Sequence, residues 1–170
     1  MNINILTYTS NIKNNLFRKE NLFLLIFVLG IFFLDRISKK VILEKFNSQK
    51  YYINEYINLD LVWNTGIGFG LFSYTSAHAY NFLTIIIFLV ITFLIFYALM
   101  SNLKDKIAIS IIIGGASGNF YDRIIFNAVP DFIDLHIGAY HWYIFNIADI
   151  FITIGILGLV FLEIFRKKHE

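Results

Sequence analysis

The stretch "YNFLTIIIFLVITFLIFYALM", residues 80–100, decides the fold of this chain. It contains no charged side chain, and Phe, Ile and Leu make up most of it. A helix rises about 1.5 Å per residue, so a run of this length crosses the roughly 30 Å hydrocarbon core of a bilayer. The sequence therefore predicts a membrane-spanning helix here and an integral membrane protein overall.

Three further apolar runs flank this one on both sides. They are "LFLLIFVLGIFFLDRISKKV", "IAISIIIGGASGNFYDRIIF" and "IFNIADIFITIGILGLVFLEIF". The chain is 58% hydrophobic and has a single proline, which agrees with several unbroken spans. We predict an all-α integral membrane protein with four transmembrane helices, at about 22–41, 80–100, 107–126 and 144–165.

The two longer connections are expected on the outer side of the membrane. Residues 42–79 include "YYINEYINLDLVWNTGIGFGLFS", which is rich in aromatic and β-branched residues and alternates in part. This pattern predicts a small β-rich extracytoplasmic segment between helices 1 and 2. Gly66, Gly68 and Gly70 indicate tight bends or close backbone approach there. The second outer connection is 127–143.

Basic residues predict the orientation, because cytoplasmic flanks are enriched in Lys and Arg. Eight basic residues lie in 1–20, 101–106 and 166–170, against six on the opposite side. Both termini are then cytoplasmic. We divide the chain into a polar N-terminal segment (1–21), one transmembrane domain (22–165) and a basic tail (166–170).

Composition also excludes several classes of protein. The chain has no cysteine, which removes disulfides, thiolate nucleophiles and cysteine-ligated zinc. A net charge of +2 without a basic stripe gives no reason to expect a nucleic-acid partner. We predict no cofactor and no catalytic metal, and we expect the protein to function as a monomer.

Polar side chains within the spans, or at their outer ends, are the candidates for function. An ionisable group costs a few kcal/mol at membrane depth and by default faces the protein interior. The set comprises Asp35, Asn64, Asn119, Asp122, Arg123, Asp131, Asn146 and Asp149.

Asp131 and Asp149 are neighbours by topology. Asp131 follows the outer end of helix 3, and Asp149 lies about five residues into helix 4, so both are expected near the outer interface. Two carboxylates in a poorly solvated site share a proton, and such a pair can deprotonate water and protonate a departing amide nitrogen. The alternative is that each Asp caps a helix or pairs with Arg123.

Helical spacing groups several of the other polar residues. Asn146 shares a face with Asp149, and Asn119 with Arg123. For Asp122 and Arg123 we favour a structural ion pair. The small residues of "GGASG" (114–118) predict close packing against another helix.

Five blocks in order resemble the lipoprotein signal peptidases, or signal peptidase II. They are "LDRISK" (34–39), "NTGIGFG" (64–70), "GGASGNFYDR" (114–123), "VPDF" (129–132) and "FNIAD" (145–149). The resemblance covers about residues 22 to 165. It implies a bacterial inner-membrane aspartic protease that cleaves prolipoproteins before a diacylglyceryl-modified cysteine, with its site near the outer face and with membrane lipid around it.

The resemblance also implies roles for particular residues. It places the catalytic aspartates at Asp131 and Asp149. Supporting polar positions then fall on Asp35, Lys39, Asn64, Gly66, Asn119, Asp122, Arg123 and Asn146.

Three other readings remain as alternatives. "GASG" matches the motif of rhomboid-type serine proteases, with Ser117 as nucleophile and His136 or His141 as base. A metalloprotease would gather Asp131, Asp134 and both histidines, although their spacing matches no known metal-binding pattern. A small ion-coupled transporter would use the intramembrane charges as a pathway, but no repeat symmetry is visible.

Overall fold

We analysed a computed structural model that describes residues 19–45, 50–66 and 77–167. Gly68, Gly70, most of the N-terminal segment and the end of the basic tail lie outside these residues. One long helix occurs at each predicted span: α1 (Lys19–Lys45), α2 (Ala77–Met100), α3 (Leu103–Phe126) and α4 (Ile147–Lys167). Four short strands accompany them: β1 (Tyr51–Tyr52), β2 (Ile57–Asn64), β3 (Val129–Ile137) and β4 (Tyr140–His141).

Three of these helices are long and apolar enough to cross a membrane. They are α1, α2 from His78 and α4 up to Arg166, and most of their surface is not buried inside the protein. α3 is less apolar because it lies at the centre of the bundle, where it contacts α1, α2 and α4. Its surroundings are protein, so polar and small residues take positions that lipid-facing helices fill with Leu, Ile and Phe.

Glycines on α3 allow the neighbouring helices to approach closely. A Cβ added at Gly114 would lie 2.8 Å from the Ile31 Cβ of α1. One added at Gly115 would lie 2.5 Å from the Ala148 carbonyl oxygen of α4. Contacts this short do not occur between real side chains and backbone, so only glycine fits. The packing role predicted for this segment is confirmed.

The sheet differs from the prediction in its composition. It is antiparallel, in the order β1-β2-β3-β4, and uses strands from both of the longer connections rather than from the first alone. The prediction missed β3 because Pro130 and a run of buried residues hide its alternation. Proline is tolerated at this point, near the start of the strand, where it pairs in register with Trp63 of β2.

Connectivity places the sheet at one end of the helix bundle. β2 follows α1 and β3 follows α3, so the C-terminal ends of both helices lead into the paired strands. α2 and α3 are joined at the other end by a short turn, where the Asn102 side chain accepts hydrogen bonds from the first backbone N–H groups of α3. At this far end Arg166 of α4 pairs with Asp105 of α3 at 2.7 Å.

Candidate active site

The first turn of α4 is fixed by a reciprocal capping interaction. The Asn146 side-chain oxygen accepts from the Asp149 backbone N–H at 3.1 Å, and an Asp149 carboxylate oxygen accepts from the Asn146 N–H at 3.1 Å. This is the capping-box arrangement, with Asp in the place usually taken by Glu. α4 begins at Ile147 and not at 144, so Asp149 lies on its first turn and not about five residues into the helix.

Asn146 also connects Asp149 to Asp131. Its side-chain N–H donates to a carboxylate oxygen of Asp131 at 2.5 Å. The second oxygen of Asp149 accepts from the Asn119 amide at 2.8 Å. Asp131 is buried, Asp149 is partly buried, and both line one groove. Asp149 therefore caps a helix and lines the same groove as Asp131.

Strand β2 holds the other oxygen of Asp131. The Asn64 amide donates to it at 2.9 Å, while the Asn64 oxygen accepts from the Gly66 backbone N–H at 2.8 Å. The Gly66 carbonyl in turn accepts from the Arg123 guanidinium at 2.7 Å. This chain of contacts orients the Asn64 amide so that its N–H group faces the carboxylate.

The pKa of Asp131 is raised to about 7. Burial is the largest cause, and the nearby charge of Asp149 adds to it. Hydrogen bonds from Asn64 and Asn146 act in the opposite direction but do not outweigh them. A carboxyl group with this pKa exchanges its proton near neutral pH, which general acid–base chemistry requires.

A buried lysine organises the floor of the site. Lys39 is 1% exposed, and its ammonium group donates to Asp35 at 2.9 Å, to Asp122 at 2.7 Å and to the Asn119 oxygen at 2.8 Å. These bonds use all three of its donors. Because the Asn119 oxygen is engaged by Lys39, its N–H group points to Asp149.

Asp35 ties α1 to the start of α4. One of its oxygens accepts from the Ala148 backbone N–H at 3.1 Å, which satisfies a donor that the helix itself leaves free. The close approach of Asp35 in α1 to α3 depends on Gly118, since a Cβ added at Gly118 would lie 2.4 Å from the other oxygen of Asp35.

The predicted ion pair between Asp122 and Arg123 is wrong. Consecutive residues on a helix point in different directions, and Asp122 pairs with Lys39 and with the Arg36 guanidinium instead. Arg123 donates to the backbone carbonyls of Gly66 and Asn119. Arg36 is a member of this network that was not predicted, although an ionisable residue within a predicted span indicates a buried partner.

The groove beside the two carboxylates has a volume of about 530 Å³. One end is polar and includes Asn64, Asn119 and Arg123 with both aspartates. The rest is apolar, and its lining comes from Ile87, Val90, Ile91, Leu94, Ile112, Ile152 and Ile156. These side chains belong to α2, α3 and α4, so the groove follows the helices away from the sheet.

The arrangements required by the other protease readings are not found among the described residues. Ser117 is on α3, whereas His136 and His141 lie on β3 and β4, where they contact Asp134, Asn58 and each other. Asp131 does not join these histidines either. Side chains alternate along a strand, so Asp131 and Asp134 point to opposite faces of β3.

The fold is that of a bacterial membrane enzyme. A solved bacterial membrane enzyme, determined by the in meso method at 2.3 Å resolution, superposes with a TM-score of 0.77 at 26% identity, covering 86% of this chain and 90% of that one. A second, determined at 1.9 Å, gives a TM-score of 0.71 at 28% identity over 82% of this chain and 90% of that one.

Sequence comparisons assign the chain to one family within this class of bacterial membrane enzymes. Residues 27–166 match the model described as signal peptidase (SPase) II, and the chain belongs to that family. The lipoprotein signal peptidase of Pelagibacter ubique is 47% identical over 152 residues, which cover 86% of this chain and 92% of the relative. That of Anaplasma phagocytophilum is 38% identical over 139 residues, covering 81% and 88%.

Proposed function

We propose that this chain removes signal peptides from prolipoproteins, cleaving before the diacylglyceryl-modified cysteine, with Asp131 and Asp149 activating the attacking water. Membership of the signal peptidase II family and the names of its relatives support the reaction. The observation that carries the mechanism is the link between the two carboxylates through Asn146, at the polar end of an apolar groove.

The two carboxyl groups hold one proton between them. The ionised group takes a proton from water, whose oxygen attacks the carbonyl carbon of the scissile bond. The protonated group supplies a proton to the departing amide nitrogen, so the peptide bond breaks and the pair returns to its singly protonated state. Asn64, Asn119 and Asn146 donate to the carboxylates and hold their orientation.

The supporting polar residues act on the pair through these amides. Lys39 orients Asn119, and Gly66, held by Arg123, orients Asn64. Asp35 and Asp122 keep the Lys39 ammonium in place. Each is a positioning residue in this proposal, because none of these contacts involves the reacting atoms.

The substrate reaches the site from the lipid. A signal peptide has an apolar segment of 7–15 residues, and the apolar part of the groove offers matching surface between α2, α3 and α4. Because every element of the site comes from one chain, we propose that residues 22–165 form a single domain that functions as a monomer.

All four helices cross the bacterial inner membrane in this proposal, with both termini cytoplasmic. α3 has 24 residues, enough to span, and its two ends lead to the far-end turn and to the sheet. Lys19, Lys104 and Arg166 cluster at the end opposite the sheet, as expected for the cytoplasmic side. The sheet and the carboxylate pair then lie near the outer face.

The substrate assignment is tested with two purified precursors that differ only in the diacylglyceryl group on the cysteine. We expect cleavage of the modified precursor alone, with mass spectrometry showing the lipid-bearing cysteine as the new N-terminus. Asp60→Asn is a control variant that should cleave the modified precursor as the wild type does, since Asp60 is a partly exposed acid on β2, 3.9 Å from Lys50. Equal cleavage of both precursors, or cleavage elsewhere, would refute the assignment.

A further inference from the structure

A cluster of metal-ligating side chains lies on the outer sheet, apart from the carboxylate pair. Asp134, His136 and His141 each offer a ligand atom, and these atoms all lie within 4.8 Å of one another. The two histidines are cross-strand partners in β3 and β4, with ring centroids 5.0 Å apart. His141 also contacts Asp134, at 2.8 Å.

The carboxylate of this cluster is buried and has polar partners. Asp134 is 1% exposed, and it accepts a hydrogen bond from the Asn58 amide at 3.3 Å. The Lys50 ammonium, itself about half exposed, lies 2.9 Å from the same carboxylate. A cation therefore already occupies a position beside Asp134.

The donor set matches a transition metal. Two imidazoles and one carboxylate are ligands that zinc binds in proteins, with a fourth position left for water. Tetrahedral bonds of about 2.0–2.1 Å place ligand atoms about 3.4 Å from one another. The widest separation in the cluster therefore has to shorten by at most roughly 1.4 Å, whereas His141 Nδ1, now 2.8 Å from Asp134, has to move slightly away from it. The His141 side chain is 44% exposed and can move by that amount.

We propose that Asp134, His136 and His141 bind a divalent transition-metal ion, for which zinc is the best match. The ion joins β4 to β3 and so fastens the end of the sheet. It does not take part in hydrolysis, because Asp134 and Asp131 point to opposite faces of β3. The proposal is independent of the substrate of the enzyme.

The test is a zinc titration of the full chain, purified with a tag that contains no histidine and stripped with a chelator. We expect one zinc per chain by calorimetry, a cobalt absorption spectrum of a tetrahedral site, and an unfolding temperature that rises with zinc. His141→Ala lowers zinc affinity by tenfold or more. Its unfolding temperature without metal falls only slightly, because His141 is exposed and Asp134 keeps its contacts with Lys50 and Asn58.

Two further variants separate a metal site from a hydrogen-bonded cluster. His78→Ala replaces an exposed histidine at the start of α2 and leaves zinc affinity unchanged. Lys50→Ala removes a competing positive charge and strengthens zinc binding by about fivefold or more. Absence of zinc binding to the wild type, equal loss in the His78 variant, or weaker binding in the Lys50 variant would overturn the proposal.

Discussion

Asp131 is 2% exposed and has an apparent pKa of about 7, so it responds to pH in the neutral range. Since the carboxylates interact, this pKa describes the pair. Catalysis needs one proton on the pair. We therefore expect the rate of processing to fall as pH rises through about 7, where that proton is lost. A pH profile of kcat/KM with the modified precursor measures this, and a rate that keeps rising to pH 9 would contradict it.

The same raised pKa affects stability. In the unfolded chain Asp131 ionises near its usual pKa of about 3.9, so the folded state holds an extra proton between about pH 4 and 7. The stabilisation is complete below pH 4 and is lost as pH rises through 7. Asp131→Asn carries no charge, so at pH 8 it is more stable than the wild type by an amount on the order of 1–4 kcal/mol.

Thermal unfolding in detergent at pH 4 and pH 8 tests this effect. The difference between Asp131→Asn and the wild type is expected to shrink toward zero at pH 4. A variant that is less stable than the wild type at pH 8 would mean that the folded protein favours the ionised form.

Lys39 and Lys40 are adjacent and differ in environment. Lys39 is 1% exposed and lies among Asp35, Asp122 and Asn119. The side chain of Lys40 is 72% exposed, and its contact with Glu44 is long, at 3.8 Å. Lys39→Met removes one of the two cations that pair with the buried Asp35 and Asp122, the other being Arg36. We expect it to lower the free energy of unfolding by about 1–3 kcal/mol. Lys40→Met changes it by less than about 0.5 kcal/mol. Equal losses in the two variants would rule out the buried network.

At the scale of the elements, α3 brings the other helices together through its glycines. Gly118→Ala places a Cβ against Asp35 and disturbs the contact of Asp35 with the first turn of α4. We expect a loss of about 1–3 kcal/mol in stability and slower processing, because Asp149 lies on that turn. Gly30→Ala in α1 is the control, since nothing lies within 4 Å of its Cβ. Similar behaviour of both variants would argue against close packing at α3.

The elements also show what could be predicted from the sequence. The presence of the four long helices was predicted from the apolar runs. The proximity of Asn146 to Asp149 was predicted from their spacing of three residues. The partners of Asp122 could not be predicted, because Arg36 and Lys39 meet it only after α1 packs on α3. β3 was missed because Pro130 and a run of buried residues hide its alternation, and because its pairing with β2 joins segments far apart in the chain. Local patterns do not encode such contacts.

At the scale of the whole molecule, the proposed topology predicts which residues are accessible from outside. The chain has no cysteine, so single cysteines can be introduced without other changes. Tyr52→Cys, on the exposed β1 strand, should react with an impermeant maleimide in spheroplasts. Lys104→Cys, in the first turn of α3, should react only after permeabilisation. The opposite pattern would invert the topology, and equal labelling would show that α2, the helix between the two positions, does not cross.

The central claim is that Asp131 and Asp149 act as one water-activating pair, and single-turnover processing of the diacylglyceryl-modified precursor tests it most directly. Asp131→Asn and Asp149→Asn should each slow cleavage by about 10²- to 10⁴-fold while the protein remains inserted and folded. Asp60→Asn should retain the wild-type rate. Substantial turnover by either of the first two variants would contradict the account.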